Sequence, residues 1–319
     1  MYIGVDLGGT NISIGIVDNN GKIKLMNTIS TNSEQKPQNI INSIINLINN
    51  TIKHSDTAKE DIDSIGIGIP GIINQETGRI VECINLPLHN VPLAELIKKE
   101  VKIPVFIDND ATLAGLAEHE IGVMKNSTTG ILMTIGTGIG GGIIIDGKLQ
   151  TGYNGIGSEI GHMIVGQNDY DCNCGRNGCL ETFASARALV NYTKKLIKQG
   201  NIETSLHKIC NGEIDKIDGK MIFEQAVKGD KLANKAVDRM VKFLSIGIMN
   251  LISVIDPQVI ALGGGISNAG DFFLEKVRTE VNNLKYFKTM PVGKIMIAKL
   301  RNEAGIIGAA MLGKYWLNK

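Results

Sequence analysis

Apolar runs of two kinds alternate along this chain, and the punctuation between them is unusually rich in glycine. The opening stretch "YIGVDLGGTNISIGIVDNNGKI" (residues 2–23) places β-type apolar runs around Gly8-Gly9 and Asn20-Gly21. It predicts strand, glycine turn, strand, Asn-Gly turn, strand. A second copy of the pattern starts about 128 residues later, in "GILMTIGTGIGGGIIIDGKLQ" (130–150). Each copy ends its second turn in Gly-Lys, at Gly21-Lys22 and Gly147-Lys148. One such hairpin is an ordinary meander; two, one opening each half, predict a duplicated α/β architecture with a cleft between the halves.

Helical spacing takes over elsewhere. "LAELIKKE" (93–100) reads as a helix, "IPVFID" (103–108) as a strand, and Ala111–Ile121 as a helix with Leu113, Ala114 and Ala117 on one face. "DKLANKAVDRMVKFLSIGIMNLISVIDP" (230–257) has Ala236, Val237, Met240, Val241, Leu244 and Ile248 at helical spacing and stops before Pro257. "QVIALGGGIS" then gives a strand and a triple glycine, with a further helix from about Asp271. The final "NEAGIIGAAMLGKYWL" carries small residues at helical spacing, suited to close packing. From these elements a small α/β domain is expected over 1–112, rejoined by 302–319, with a larger α/β domain over 113–301.

Composition narrows the setting. Lys plus Arg number 33 and Asp plus Glu 32, with no basic block, so the footprint of a nucleic-acid or anionic-membrane binder is missing. No apolar run reaches spanning length. The chain passes from Met1 straight into a strand, without an export signal, and its five cysteines are an odd number; a cytoplasmic location is expected.

Three of those cysteines crowd into "YDCNCGRNGCLE" (170–181). Cys172 and Cys174 are too close for an easy disulfide, whereas Cys172, Cys174 and Cys179 suit a metal knuckle, with Gly175 and Gly178 letting the backbone turn round the ion. Zinc prefers four ligands. His162 in "SEIGHMIV" is the nearest candidate for the fourth; His89 and His207 lie in other segments. A site filled by four protein ligands fixes geometry rather than doing open-site chemistry. Its effect here is to tie together Glu159 and Glu181, which flank the ligands.

The glycine turns are candidate phosphate cradles, since glycine exposes backbone N–H groups and Thr10 or Thr137 adds a hydroxyl. "GTGIGG" and "GIGIPG" both match the dinucleotide spacing G-x-G-x-x-G, but Gly142 leads into a strand and Pro70 interrupts the other, so no helix follows as that fold requires. Gly263–Gly265 at a strand end suits a nucleotide or a plain tight turn equally. Asn109 and Asp110 fall where strand meets helix; Asp110 is either an N-cap or a functional carboxylate, and "DND" lacks the glycine of a calcium loop.

In order and spacing, "GVDLGGTN", "GIGIPG", "DNDA", "GTGIGGG", "EIGH", "CNCGRNGCLET", "LGGG" and "NEAGIIGAA" resemble the ROK family of repressors and sugar kinases over essentially the whole chain, most closely its glucokinases. The resemblance implies the duplicated actin/hexokinase-like (ribonuclease H-like) ATPase fold, with Mg-ATP and a hexose as substrates, structural zinc, and a homodimer or homotetramer. It implies that Asp110 is the general base, weakened by its helix N-terminus. Gly71, Asn85, Asn109, Glu159, His162 and Glu181 would contact the sugar. Asp6 would stand beside magnesium, or else be a buried turn residue. Gly8, Gly9, Thr10, Asn11, Gly136, Thr137 and Gly138 would hold the phosphates and Gly263, Gly264 and Gly265 the adenosine end. The family's repressors carry a helix-turn-helix segment before the core, for which the first strand at Tyr2 leaves no room. Two departures stand out: Ser158, a small residue where glycine is frequent, and "NLPLH" (85–89) in place of an aromatic pocket wall, a point at which the chain resembles allose kinases. Glucose is the expected sugar, with N-acetylmannosamine, N-acetylglucosamine or allose as the alternatives.

Overall fold

A computed structural model describes residues 1–317 except Ser33, Ile84 and Asn201. In chain order the elements begin with β1 (Tyr2–Leu7), β2 (Asn11–Val17), β3 (Ile23–Ser30), α1 (Pro37–Lys53), β4 (Ser64–Ile69), β5 (Ile72–Asn74), β6 (Arg79–Glu82), α2 (Leu93–Val101), β7 (Val105–Asn109) and α3 (Asp110–Glu120). They continue with β8 (Gly130–Ile135), β9 (Ile139–Ile145), β10 (Lys148–Leu149), α4 (Glu181–Ala184), α5 (Ala186–Gln199), α6 (Leu206–Ile209), α7 (Gly219–Val227), α8 (Lys231–Ile255), β11 (Val259–Gly263), α9 (Gly270–Leu284), β12 (Lys294–Ile297) and α10 (Ala304–Leu317).

The two sheets repeat one order. The first runs β3-β2-β1-β4-β7 and the second β10-β9-β8-β11-β12, so each is a three-stranded meander extended by two crossover strands. In the first sheet β1 pairs antiparallel with β2 and parallel with β4, and β4 pairs parallel with β7. The repeat read from the glycine hairpins is therefore a repeat of whole sheets, and the fold is the duplicated α/β type. The strands after Gly71 and Gly142 confirm that neither glycine-rich match opens a dinucleotide-binding helix. No helix among the described residues is long and apolar enough to cross a membrane.

Two compact units emerge: Met1–Leu132 with Gly142–Ser158 and Lys299–Lys319, and Met133–Gly141 with Glu159–Ala298. The first reaches past the residue-112 boundary drawn from sequence because α3 packs on α10, which also covers β1 and β4. Glycine makes that packing possible. A Cβ at Gly66 would lie 1.7 Å from the Ala309 carbonyl oxygen, and one at Gly308 1.9 Å from that of Leu113. Buried Glu118 of α3 staples the same region, accepting from Val123 N at 2.8 Å and Leu300 N at 2.7 Å.

Candidate active site and metal centre

In the first unit the candidate residues sit at strand ends. Asp6 of β1 and Asp108 of β7 lie on the two strands that flank β4, both in register with its Gly68. Asn109, rather than Asp110, is the N-cap of α3: its Oδ1 accepts from Ala111 N at 2.9 Å and Thr112 N at 3.1 Å. Its Nδ2 donates to the Gly71 carbonyl at 3.2 Å. Asp110 is thereby left as the first helical residue, with no capping duty. Burial pushes its carboxyl above the ordinary range, and the Ala111 N–H that reaches Oδ1 at 2.8 Å does not outweigh that effect. The lowering expected from the helix N-terminus is thus not found: burial exceeds the backbone hydrogen bonds that favour the charged form.

Asp6 is pushed up to about 6, first by burial and then by the charge of Asp110. Its carboxylate lies over the start of α10, where a Cβ at Gly305 would come within 2.5 Å of Oδ2. A carboxylate held above its usual range by burial and a second acid gains from a nearby cation, so Asp6 suits a magnesium-associated role. Beside it the Gly8–Asn11 turn is closed by Gly8 N donating to Asn11 O at 2.9 Å. Thr31 braces the turn: its N–H donates to Thr10 O at 2.8 Å and its hydroxyl to Gly8 O at 2.7 Å. Asn85 is exposed and packs beside Gly9, where a Cβ would meet that of Asn85 at 3.7 Å. Gly71 presses on Glu82, where a Cβ would be 2.2 Å from the carbonyl oxygen. The structure thus brings Asp6, Gly9, Gly71, Asn85, Asn109 and Asp110 into one unit.

Asp108 of β7 directly precedes Asn109. It is 3 % exposed, and burial raises its carboxyl to about 7 against the hydrogen bonds that favour its charge. Asn109 N donates to it at 2.7 Å, and Gln75 Nε2 donates to its other oxygen. Thr151 Oγ1 donates to Gln75 Oε1 at 3.4 Å, continuing the chain of polar contacts. Sequence spacing holds no sign of Gln75, which β5 and its turn bring to the end of β7.

In the second unit three candidate segments meet at Ile139. Its N–H donates to Glu181 Oε2 at 3.0 Å, and its carbonyl oxygen lies 2.1 Å from where a Cβ at Gly161 would stand. That contact is why the third position of Glu-Ile-Gly-His is glycine. The Gly136–Gly138 turn is closed by Gly136 N to Gly138 O at 2.9 Å and held to the start of α5 by Ala186 N to Gly136 O at 2.8 Å. Gly264 adopts φ +79° and packs on Ile135, where a Cβ would be 2.5 Å from the carbonyl oxygen. A cavity of 860 Å³, lined by Ala186, Gly219, Phe223, Gly265, Ile266 and Asn268 among others, adjoins this turn and is within the range of small-molecule sites. Glu181 also takes a 3.3 Å contact from Arg187, a cation next to the Ala186 contact with the Gly136–Gly138 turn, which sequence spacing does not mark. Exposed Glu159 opens the single turn Ile160–His162.

The thiols converge as their spacing implied. One ligand atom each from His162, Cys172, Cys174 and Cys179 lie within 4.8 Å of one another. Cys172 Sγ is 3.7 Å from His162 Nδ1, and Cys174 Sγ is 3.6 Å from Cys179 Sγ. Such edges match a tetrahedron with zinc–sulfur bonds of about 2.3 Å. Left without a cation the three thiols cannot all ionise: the Cys179 thiol is pushed up to about 12, first by burial and then by its thiol neighbours. Burial also raises Cys174, but hydrogen bonds from Arg176 outweigh it and bring that thiol to about 6. The donor set fits zinc. With four protein ligands, bound zinc supplies rigidity and no open coordination position.

The model of the ROK family matches residues 2–315. The chain belongs to the ROK family. It is 37 % identical to a glucokinase of Thermotoga maritima over 98 % of this chain and 96 % of that one. It is 33 % identical to the xylose repressor of Caldicellulosiruptor bescii, over 96 % of this chain and 76 % of the repressor. Among solved structures, the ROK glucokinase of Streptomyces griseus, in complex with glucose and AMPPNP, superposes with a TM-score of 0.83 at 31 % identity, covering 98 % of this chain and 99 % of that one. The duplicated sheets are thus those of ROK sugar kinases.

Proposed function

We propose that this ROK protein is an ATP-dependent glucose kinase that moves the γ-phosphate of Mg-ATP to the 6-hydroxyl of glucose. The observation that carries the reading is Asp110, a carboxylate freed from capping by Asn109 and raised by burial toward working pH. A base is most effective when its pKa approaches the operating pH. The sugar hydroxyl gives its proton to Asp110 as the oxygen attacks; the new O–P bond forms, the bond to the β-phosphate breaks, and ADP leaves. Positioning and charge neutralisation carry most of phosphoryl transfer, so the base adds to a reaction that the glycine turns have already aligned.

The remaining roles belong to the same reading. In this reading the Gly8–Asn11 and Gly136–Gly138 turns would take the phosphates, Asp6 would hold the magnesium that accompanies the nucleotide, and Gly263–Gly265, the last of which lines the 860 Å³ cavity, would take the adenosine end. Asn109, Glu159, His162 and Glu181 are assigned to the sugar hydroxyls, and Gly71 and Asn85 to the sugar as well. His162 turns Nδ1 toward the thiols, which leaves Nε2 on the other edge of the ring for the sugar. The setting is the cytoplasm and the assembly a homodimer or homotetramer, which sedimentation analysis decides.

A second reading keeps the reaction and changes the sugar. Pro87 is exposed, and His89 beside it pairs with Glu82 at 2.6 Å, so the segment expected to form a pocket wall presents no aromatic ring. ADP release from Mg-ATP across glucose, allose, mannose, fructose, N-acetylmannosamine and N-acetylglucosamine tests both. Glucose leading the panel supports the first reading; another sugar leading supports the second; no sugar-dependent turnover by zinc-loaded protein removes both.

A further inference from the structure

Behind the metal site stands a cluster of side chains that belongs to no motif. Arg239 of α8 is half-buried, with its guanidinium carbon 4.4 Å from the ring centre of Tyr192, 4.9 Å from that of Phe183 and 5.4 Å from that of Phe243. Phe183 and Phe243 stack with their centres 3.9 Å apart. They close over Gly166, where a Cβ would meet Phe243 at 3.1 Å. Phe183 lies in α4, two residues after Glu181. Three rings round one guanidinium hold it in a single place, by cation–π attraction that strengthens as water is excluded.

From that place Arg239 Nη2 donates at 3.2 Å to Oδ1 of Asn168. Asn168 is the neck of the metal-binding loop. Its N–H donates to Asn177 Oδ1 at 2.8 Å, and Asn177 Nδ2 donates back to the Asn168 carbonyl at 3.0 Å, so the two asparagines clasp the ends of the segment that carries Cys172 and Cys174. Asn168 Nδ2 also donates at 2.8 Å to the carbonyl of Thr182, the residue after Glu181. No atom of this network is a metal ligand. A competing tie, the ion pair of Lys195 with Asp169, has side chains 48 % and 72 % exposed, where solvent screens it.

We propose that Arg239 is a positioning residue for the zinc loop and, through it, for sugar recognition. The rings fix the guanidinium, the guanidinium fixes Asn168, and Asn168 fixes both the neck of the loop and the backbone next to Glu181. The cysteine ligands are therefore gathered before the metal arrives. Lysine at this position keeps a cation over the rings but lacks the planar fork that addresses Asn168 from a fixed angle. The loop's role in sugar binding rests on the kinase reading above; its hold on zinc does not.

Two readouts on zinc-loaded full-length protein test this: zinc release into excess chromophoric chelator, and the separate KM values for sugar and Mg-ATP. Partners behind metal ligands commonly change metal affinity or activity by about 10–100-fold. Arg239→Met and Asn168→Ala are expected to release zinc about tenfold faster and raise the sugar KM about tenfold, with the KM for Mg-ATP within about twofold of wild type. Arg239→Lys falls between. Asn168→Ala leaves the ring stack intact, so it keeps the test alive if Arg239→Met fails to fold. Unchanged zinc release in both variants overturns the proposal. So does fast release confined to Arg239→Met, which would assign the effect to the stack alone, or an equal rise in both KM values. Faster zinc release in variants of a protein that phosphorylates no sugar keeps the loop proposal and removes the kinase reading.

Discussion

The candidate residues of the two units are held by different physics. In the first unit Asp6, Asn109 and Asp110 stand at the ends of strands or the start of a helix, with β-ladder pairing and helix capping fixing each one. In the second unit Glu159, His162 and the three cysteines lie between β10 and α4, where the only regular piece is the turn Ile160–His162. Regular elements position side chains through backbone hydrogen bonds already made for folding. Irregular backbone has no such support and takes it from cross-links: zinc, the Asn168–Asn177 clasp and the carboxylate of Glu181 on Ile139. The proposed base thus belongs to a rigid scaffold, and the proposed sugar-reading residues to a stapled loop.

Removing zinc attacks that difference at its largest. A structural zinc contributes on the order of 10 kcal/mol to the folding of its own site. Chelation is expected to strip residues 163–180 of amide-exchange protection while the β3-β2-β1-β4-β7 sheet keeps its own, and to abolish sugar-dependent turnover. Exchange mass spectrometry before and after chelation reads both. Simultaneous loss of protection in the first sheet would show that the two halves share one support after all.

The converse cut is Asp110→Asn, which leaves scaffold and staple alone and removes the base. Turnover is expected to fall by about 10²–10⁴-fold, with the KM for Mg-ATP little changed. The residual rate is expected from positioning and charge neutralisation without the base. The same burial that raises the Asp110 carboxyl places an acid limb on the pH profile: activity falls as pH drops through that raised value, because the base must be ionised. An acid limb that stays in place in Asp110→Asn would show that another group sets it.

What the sequence revealed follows the same line. The glycine turns, the cysteine spacing and the repeat were legible because each depends on neighbours along the chain: Gly161 and Gly264 are glycine for contacts that the motif pattern already marks. Asn109 as the cap, in place of Asp110, needed the helix to be placed to within one residue. Asp108 with Gln75, Arg187 with Glu181, and Arg239 with Asn168 were illegible, since the separations of these pairs along the chain carry no period. Whether desolvation or the helix dipole governs Asp110 is likewise a question of surroundings, which spacing does not contain.

A smaller effect tests how completely the first unit is built as scaffold. Asp108 has its carboxyl raised from the usual 3.8 to about 7, so the folded state holds a proton that the unfolded chain has released. The sign follows: this group's contribution is fully present below about pH 4 and is lost as pH rises through about 7, on the order of 4 kcal/mol in all. Asp108→Asn carries no proton to lose. Urea denaturation at several pH values is expected to show its stability gaining on wild type from pH 4 to pH 7 and running parallel above. Parallel curves throughout would mean that Asp108 is ionised in the fold, held by Asn109 and Gln75.

The smallest effect sits at Ser158, the residue before Glu159 and the last of its segment in the first unit. Its φ of 73° is in the left-handed region, which costs a non-glycine residue about 1 kcal/mol. Its hydroxyl donates to the Gln150 carbonyl at 2.8 Å, a bond worth about 1 kcal/mol. The hydrogen bond thus offsets the strain that a small side chain alone would leave in place. Ser158→Gly relieves the backbone, loses the bond and adds freedom to the unfolded chain, so its stability should stay within about 0.5 kcal/mol of wild type. Ser158→Ala keeps the strain and loses the bond, and should fall by about 1 kcal/mol, or about 2 °C in Tm by calorimetry. A glycine variant several degrees more stable than wild type would show that the Gln150 bond contributes nothing.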